Sequence, residues 1–225
     1  MKSEILIIIP ILNESTQIND LINHLLWIKK FNLDVIVVDG GSTDGCTKKI
    51  IDSKIPLISS PKGRSIQMNA GVTLECYKLL IFLHADTRLT EHAVMDLLKL
   101  NVKEDSWGRF DVEIIGSYSF FKIISFFINL RSRLSGIATG DQTIFISYKL
   151  FRRIGGFPEQ PLMEDIEISR CLKSISKPIC FTSKVLTSGR RWEDYGIIKT
   201  ILLMWYLRFL YWIGVNPVYL KSLYK

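Results

Sequence analysis

Two polar side chains, His84 and Asp86, directly follow the apolar run of residues 79–83. That run has the length of a buried strand, and residues two apart on an extended chain point the same way, so both side chains can face one ligand. A hard divalent cation that is held mainly by a substrate's phosphates needs only one or two protein carboxylates. Asp86 is therefore a candidate metal ligand. The alternative is that Asp86 caps the helix expected from about Thr90, although Thr90 itself is the better cap.

Two further carboxylates, Glu14 and Asp39, follow the two earliest apolar runs. At the carboxyl end of a strand, such a group can accept hydrogen bonds from a base or a ribose. Asp39 could instead cap the helix that follows it. Arg64 lies in a glycine-containing turn that opens a helix, where a guanidinium and exposed amides suit a diphosphate. The spacing of a Walker A loop is absent there, which argues against a P-loop site.

Acidic residues open another predicted helix, with Glu164 and Asp165 at its start. Acids in a first helical turn commonly compensate the helix dipole, and catalysis is the alternative that the pattern leaves open. Arg191 and Trp192 follow in an arginine-rich turn. That turn is either solvated or an anion clamp with an aromatic wall.

The first hundred residues alternate short apolar runs with helical patterns, which predicts a parallel sheet with crossover helices. Strands are predicted over residues 5–9, 35–38, 57–59 and 79–83, and a helix is predicted over residues 16–30. The candidate polar residues of this half lie directly after predicted strands. Because ligands of open α/β sheets bind at the carboxyl ends of the strands, we expect one shared cleft.

The remainder of the chain is less regular. Strands are predicted over residues 107–115, 143–146 and 178–185, and helices over residues 120–134, 164–173 and 195–213. No repeat or linker interrupts the chain, so we predict one α/β domain over residues 1–225. Within it we expect a nucleotide-binding half (1–100), an acceptor and catalytic half (101–192) and a C-terminal helical segment (193–225).

The composition is that of a globular protein, with 48% hydrophobic and 23% charged residues, and it argues against disorder. The formal net charge of +7 favours anionic partners such as nucleotide phosphates or an acidic membrane surface, and no nucleic-acid motif is recognisable. The cysteines Cys46, Cys76, Cys171 and Cys180 are scattered and form no zinc-binding pattern with the histidines. The start of the chain does not resemble a signal peptide, so we predict a cytoplasmic protein with reduced thiols.

The helix predicted over residues 195–213 is apolar on nearly all sides. Its tryptophans and tyrosines are residue types enriched at bilayer interfaces. Arg208 in its middle would cost about 2.5–3.5 kcal/mol at a bilayer centre, which argues against a membrane span. We therefore predict peripheral contact with the cytoplasmic face of a membrane, with residues 120–130 as a second contact. The alternative is that both segments pack on the sheet or form a dimer interface.

Taken together, several segments resemble the family 2 glycosyltransferases, which have the GT-A fold. The matching motifs are Ile9-Pro-Ile-Leu-Asn-Glu14, Val37-Val-Asp-Gly-Gly-Ser-Thr-Asp-Gly45, His84-Ala-Asp86, Gly155-Gly-Phe157 and Glu164-Asp165. A closer likeness is to a small bacterial subgroup of transferases associated with radical-SAM and selenium-related domains. It is carried by Trp107-Gly-Arg-Phe-Asp111, Ala138-Thr-Gly-Asp-Gln142 and Ser188-Gly-Arg-Arg-Trp192. We thus expect a single GT-A (Rossmann-like) α/β domain, with a mostly parallel central sheet flanked by helices and a C-terminal apolar helix.

The resemblance implies a donor site for a nucleotide-diphosphate sugar, with a UDP-sugar favoured. Pro10, Glu14 and Asp39 would hold the nucleoside, Arg64 would lie beside the diphosphate, and Asp86 would bind Mn²⁺ or Mg²⁺. His84 replaces the first aspartate of the family's usual metal motif, a residue that contacts ribose more than metal, and is assigned to the donor site.

On the acceptor side, the resemblance implies that Asp165 is the catalytic base and that transfer inverts the anomeric carbon. The sugar and acceptor pocket would be lined by Gly140, Asp141 and Gln142, to which we add Glu164, Arg191 and Trp192. The acceptor is open, with a lipid-linked molecule as one candidate, and the oligomeric state is not predicted. Two rival functions are a sugar nucleotidyltransferase and a non-catalytic protein that binds a membrane surface.

Overall fold

The computed structural model describes residues 3–72 and 77–224. Over these residues the chain forms eight strands: β1 (Ile5–Ile11), β2 (Asp34–Asp39), β3 (Leu57–Ser59), β4 (Leu79–Phe82), β5 (Thr87–Leu89), β6 (Trp107–Ile115), β7 (Ile144–Ser147) and β8 (Ile179–Ser188). The helices are α1 (Ile18–Lys29), α2 (Cys46–Asp52), α3 (Arg64–Ala70), α4 (Glu91–Lys99), α5 (Phe121–Ser135), α6 (Tyr148–Arg153), α7 (Glu164–Ile175), α8 (Arg190–Tyr195), α9 (Ile197–Trp212) and α10 (Pro217–Leu223). A short 3₁₀ turn spans Gly140–Gln142, just before β7.

All eight strands belong to one sheet, in the order β3-β2-β1-β4-β7-β6-β8-β5. Strands β1 to β4 pair in parallel, as the alternation of strands and helices predicts. The expectation of a mostly parallel sheet is nevertheless wrong, because the sheet is mixed: β7 runs antiparallel to both β4 and β6, and β5 runs antiparallel to β8. A buried strand reads as a continuous apolar run in either direction, so the sequence pattern does not reveal this reversal.

The two faces of the sheet are covered by different helices. Ile7 and Ile9 of β1 point into a core formed with α1, α2 and α4. Leu6 and Ile8, which alternate with them, point into a second core formed with α3, α6 and α7. Strand β1 is therefore buried on both sides, which accounts for its unbroken apolar sequence.

The ends of β1 and β2 are joined by a buried amide. The Nε2 atom of Gln67, in α3, donates hydrogen bonds to the carbonyl of Ile11 at 2.7 Å and to that of Val38 at 2.8 Å. A Cβ atom on Gly40 would come within 2.9 Å of the same side chain, so the chain needs glycine there. This contact holds the loops that follow the two strands in one place.

The C-terminal segment differs from the single long helix predicted over residues 195–213. It contains three helices, because Gly196, with φ +83°, separates α8 from α9, and α10 follows. Leu207 of α9 and Leu220 of α10 are buried against Met163 of the main domain. No described helix is both long enough and apolar enough to cross a bilayer.

The cysteines of the described chain are unpaired. Cys46 is buried at the start of α2, Cys171 is exposed on α7, and Cys180 is half-buried. Cys76 lies outside the described residues.

Candidate active site

A cleft opens at the carboxyl ends of β1 and β4. Its larger cavity has a volume of about 210 Å³ and a smaller one lies beside it. Both are lined by Arg64, His84 and Asp86, so they form one continuous cleft. We call the smaller cavity, which adds Pro10 and Glu14, the donor end. The larger cavity, which reaches α7, α8 and α9, is the acceptor end.

His84 lies at the junction of the two ends. It follows β4 and packs against the turn at Gly140, where a Cβ atom would come within 2.2 Å of its ring. Burial, and then the neighbouring Arg64 guanidinium, hold the pKa of His84 well below its ordinary value. The imidazole is therefore neutral near pH 7, with one nitrogen able to donate and the other able to accept a hydrogen bond.

Asp86 presents its carboxylate to both cavities. Its Oδ1 accepts a hydrogen bond of 3.3 Å from the Thr87 hydroxyl, and its backbone carbonyl accepts one of 3.1 Å from Ser188. Within residues 3–72 and 77–224, no cluster of three or more His, Cys, Asp or Glu side chains could hold a metal by itself. A single half-buried carboxylate facing an open cleft instead suits Mn²⁺ or Mg²⁺ that takes its other ligands from phosphates and water.

Arg64 opens α3 and faces Glu164 across the cleft, with 3.6 Å between Nη1 and Oε1. The Glu164 side chain is only 5% exposed, whereas that of Arg64 is 54% exposed. Burial, followed by repulsion from Asp165, raises the pKa of Glu164. The guanidinium thus retains donor groups that a ligand in the cleft can use.

Asp165 is oriented by two backbone amides. Its Oδ2 accepts a hydrogen bond of 2.9 Å from the Gly140 N–H, and its Oδ1 accepts one of 2.8 Å from the Ile166 N–H. The preceding Met163 has a left-handed φ of +65°, and it starts α7 without a side-chain cap. Both Glu164 and Asp165, in the first turn of this helix, line the cavity.

The turn at Gly140–Gln142 divides its residues between cavity and core. Gly140 and Asp141 line the acceptor end. Burial raises the pKa of Asp141, and its Oδ1 has no hydrogen-bond partner among the described residues. Gln142, which we placed in the pocket, is instead fully buried and bonds to Thr139 and Asn129. In a short turn, successive side chains point in different directions, so neighbours in sequence need not share a pocket.

Asp39 also lies away from the lining of the cleft. It is 5% exposed, and its carboxylate accepts hydrogen bonds of 3.1 Å from the backbone N–H groups of Gly41 and Ser42. It therefore shapes the loop after β2 in this structure. Glu14, by contrast, lines the donor end, where its Oε2 accepts a hydrogen bond of 2.6 Å from Gln17.

The C-terminal segment closes the acceptor end. Arg191 and Trp192 line it from α8, which is a helix rather than the predicted turn. The Arg191 guanidinium lies 3.8 Å from the centroid of the Tyr224 ring, and Tyr224 lines the cavity too. Arg208 of α9 is another lining residue. Neither Arg208 nor Tyr224 is among the residues that the sequence predicts for the site. A lone arginine in an apolar helix is a signal that could have identified Arg208.

Several solved structures have a similar fold. The mannosyltransferase PcManGT from Pyrobaculum calidifontis, in complex with GDP-Man and Mn²⁺, matches with a TM-score of 0.60 and 16% identity, over 83% of this chain and 57% of that chain. S. aureus TarS 1–349 in complex with UDP matches with a TM-score of 0.61 and 18% identity, over 82% of this chain and 60% of that chain. Glucosyl-3-phosphoglycerate synthase from Mycobacterium tuberculosis, in complex with Mn²⁺, UDP and phosphoglyceric acid, matches with a TM-score of 0.55 and 15% identity. This match covers 81% of this chain and 68% of that chain. At these identities, the likeness shows a shared GT-A-like fold.

The chain spans about three fifths of the length of the first two of these structures. A comparison with curated protein sequences finds no match. The sequence model described as "Glycosyl transferase family 2" matches residues 6–156, which include the strands of the first half, His84, Asp86 and the turn at Gly140. Because this match covers more than half of the sequence, the chain belongs to glycosyl transferase family 2.

Proposed function

We propose that this chain is an inverting, metal-dependent glycosyltransferase that moves a sugar from a nucleotide-diphosphate donor, with a UDP-sugar favoured. The observation that carries the proposal is the placement of Asp165 in the same cleft as Arg64, His84 and Asp86. A carboxylate base thus lies next to the groups suited to a diphosphate. Membership of the family supports the same activity.

At the donor end, Arg64 and His84 would bind the diphosphate and the ribose. The Arg64 guanidinium can donate paired hydrogen bonds to phosphate oxygens, and the neutral His84 can bond to a hydroxyl without adding charge. Pro10 and Glu14 line the donor end where the nucleoside would lie. Asp39 would reach the base only if the loop after β2 gave up part of its hydrogen bonding, so its proposed contact is the most demanding of the set.

Asp86 would hold Mn²⁺ or Mg²⁺ together with the donor's phosphates. When bound, the cation stabilises negative charge on the departing diphosphate. In this role Asp86 alone would supply a protein carboxylate to the cation, which leaves room for phosphate and water ligands in the open cleft. The complexes of two fold relatives with Mn²⁺ are consistent with it.

At the acceptor end, Asp165 would act as the general base. The acceptor oxygen forms a bond to the anomeric carbon while the bond from that carbon to the diphosphate oxygen breaks. The acceptor's proton passes to Asp165, and the electron pair of the broken bond leaves with the nucleoside diphosphate. Hydrogen bonds from the Gly140 and Ile166 amides keep the carboxylate in position for this transfer.

The proposal also covers the nucleotide base of the donor and the subgroup of the family to which the chain is most similar. The fold relatives were solved with GDP-Man in one case and with UDP in two others, so both bases suit the fold. We favour UDP and place the chain near the radical-SAM-associated subgroup on the motifs around Trp107, Gly140 and Arg191.

We also propose that the protein works at the cytoplasmic face of a membrane and that its acceptor is lipid-linked. Helices α5 and α9 lie together, since Phe121 and Ile201 share one apolar cluster. Their outer faces expose large side chains, among them Phe126 (61%), Phe127 (60%), Trp205 (69%) and Trp212 (72%). An apolar and aromatic surface of this kind is typical of a site that meets another surface.

The test of the donor site uses a panel of UDP- and GDP-sugars, with thermal shift and calorimetry in Mn²⁺ or in EDTA. We expect a UDP-sugar to stabilise the protein in Mn²⁺, and we expect EDTA or Asp86→Ala to weaken UDP binding by about 10–100-fold, the usual effect of disturbing a metal site. Equal affinity in EDTA would contradict the metal assignment, and a response to GDP-sugars alone would contradict the preference for UDP. Release of pyrophosphate from a nucleoside triphosphate would instead favour a nucleotidyltransferase.

A further inference from the structure

Arg208 is an unpaired cation at the acceptor end. It lies in the middle of α9, lines the larger cavity, and is half-buried. Its Nε atom is buried without a hydrogen-bond partner, and no carboxylate among the described residues forms an ion pair with it. A buried polar atom without a hydrogen-bond partner is costly, so one in a cavity wall calls for a ligand, an ion or a water that supplies the partner.

Arg131 of α5 does not itself line the cavity, but its guanidinium contacts Thr139, which does. Its Nε atom is also buried and unpartnered, and its one hydrogen bond to a described residue is a long one, 3.5 Å from Nη2 to the Thr139 hydroxyl. Burial, followed by the like charge of Arg208, lowers the pKa of Arg131 to about 10. At that value the Arg131 guanidinium is charged at neutral pH, and Arg208 is close enough to repel it.

No carboxylate of the described residues forms an ion pair with either arginine. Asp141 lies within the field of both arginines, yet its Oδ1 has no hydrogen-bond partner in the described parts of the chain. Asp165 is held by backbone amides rather than by a guanidinium. Asp141 and Arg208, which line the cavity, and Arg131, which contacts the lining residue Thr139, thus each have a buried polar atom without a partner among the described residues. In folded proteins such atoms are rare and call for a ligand, an ion or a water.

We propose that Arg208 and Arg131 form the binding site for a phosphate group of the acceptor, beside Asp165. The inference rests on the proposed glycosyltransferase function and names the chemical class of its second substrate. Two guanidiniums match the charge of a phosphate monoester, and each can donate two parallel hydrogen bonds to its oxygens. Arg64 is separated from this site by its pairing with Glu164, so the donor's diphosphate and the acceptor's phosphate would bind different arginines.

The position of Arg208 bears on the source of that phosphate. On one side α9 lines the cavity with Arg208 and Met204, and on the other it exposes Trp205 and Phe209. A phosphate at the end of a membrane lipid could enter from this side. A soluble phosphorylated molecule would carry the same chemistry, and the experiment below distinguishes the two.

The test is a calorimetric titration of inorganic phosphate into protein saturated with UDP and Mg²⁺, so that the donor end is occupied. We expect phosphate to bind the wild-type protein, and we expect Arg208→Gln to weaken it by about 10–100-fold, as for loss of a charge-assisted hydrogen bond. Arg208→Lys keeps the charge and should lose less. The matched control is Arg152→Gln, at an exposed arginine of α6 outside the cleft, which should leave phosphate binding unchanged.

The outcomes separate the two proposals. Phosphate that fails to bind, or that binds Arg208→Gln and Arg131→Gln as well as wild type, overturns the acceptor site even if UDP binds normally. Failure of UDP to bind counts against the proposed function, and the phosphate titration on the free protein still tests the arginine pair. If phosphate binding does depend on Arg208, transfer to a soluble sugar phosphate is compared with transfer to polyprenyl phosphate in vesicles, which identifies the source.

Discussion

At the donor end of the cleft, Pro10, His84 and Asp86 lie in or directly after two neighbouring strands, whereas the acceptor end takes Asp141 and Arg208 from segments far apart in the sequence. The parallel strands β1 and β4 bring their carboxyl ends together without help from the rest of the chain. The acceptor end exists only after α7, α8 and α9 have packed over the sheet. The donor end is therefore a consequence of the local strand topology, whereas the acceptor end is a consequence of tertiary packing.

The two ends also differ in how well their polar groups are satisfied. Glu14 at the donor end accepts a hydrogen bond from Gln17, and the Asp86 carboxylate accepts one from Thr87. At the acceptor end, Asp141 and Arg208 each have a buried atom that has no partner within the part of the chain that the structure describes. Buried polar groups without a partner call for an explanation, and binding of the proposed acceptor phosphate would provide one at this end.

The largest expected effect concerns Asp165, at the acceptor end. Asp165→Asn keeps the shape of the side chain but removes its basicity, so it should retain UDP affinity while turnover falls by about 10²–10⁴-fold. The measurement is the rate of product formation with the true acceptor, alongside calorimetry with UDP. Near-normal turnover would falsify the assignment of the base. Loss of UDP binding as well would indicate a structural role, and the contrast between the two ends would then be wrong.

A second prediction concerns the scaffold beneath the donor end. His24 of α1 accepts a hydrogen bond of 3.0 Å at Nε2 from the Leu89 N–H, and burial, followed by the charge of Arg88, lowers its pKa to about 4. Above pH 6.5, His24 is therefore neutral in both the folded and the unfolded chain. Below pH 6.5, it becomes protonated in the unfolded chain before it does so in the folded protein. Its contribution to stability should be complete above pH 6.5 and should be lost as the pH falls towards 4, by roughly 3 kcal/mol in total.

The measurement is urea unfolding at several pH values between 7 and 4. His24→Gln, which is neutral and can still accept the hydrogen bond, should show a smaller loss of stability over the same range. The same pH dependence in both proteins would mean that other groups are responsible.

The third prediction tests the junction between the two ends. Gly140→Ala places a methyl group within 2.2 Å of the His84 ring, so one of the two must move. We expect a loss of about 1–3 kcal/mol in unfolding free energy, which is typical of overpacking. The double variant with His84→Ala should recover much of this loss, because the ring is gone. If the double variant does not recover stability, the clash with His84 is not the cause of the loss in Gly140→Ala.

The smallest effect is expected at the outer surface of α9. Replacing Trp205 and Trp212 with serine should reduce flotation of the protein with anionic liposomes severalfold, while UDP binding stays unchanged because neither residue lines the cleft. Wild-type protein that remains at the bottom of the gradient would count against membrane contact. A shift to a dimer in sedimentation would point to a second copy as the partner of this surface.

The sequence by itself determined much of the first half. Continuous apolar runs and helical periodicity placed β1 to β4 and α1 to within a few residues, because each element follows from local burial and chain geometry. The cap at Thr90 was predicted correctly, and its hydroxyl accepts a hydrogen bond from Ala93. Most of the candidate donor residues lie together for the same reason, since parallel strands deliver their ends to one edge.

Other features were decided by the tertiary structure. The reversal of β7 and β5 has no signature in the sequence, and neither does the burial of Gln142 next to two residues that line the cavity. Arg208 appeared in the sequence only as a charge that disfavours a membrane span. Its place in the same cavity as Asp141 depends on α9 packing against α5 and the start of α7, and periodicity describes which face of a helix is apolar but not which distant residue that helix will meet.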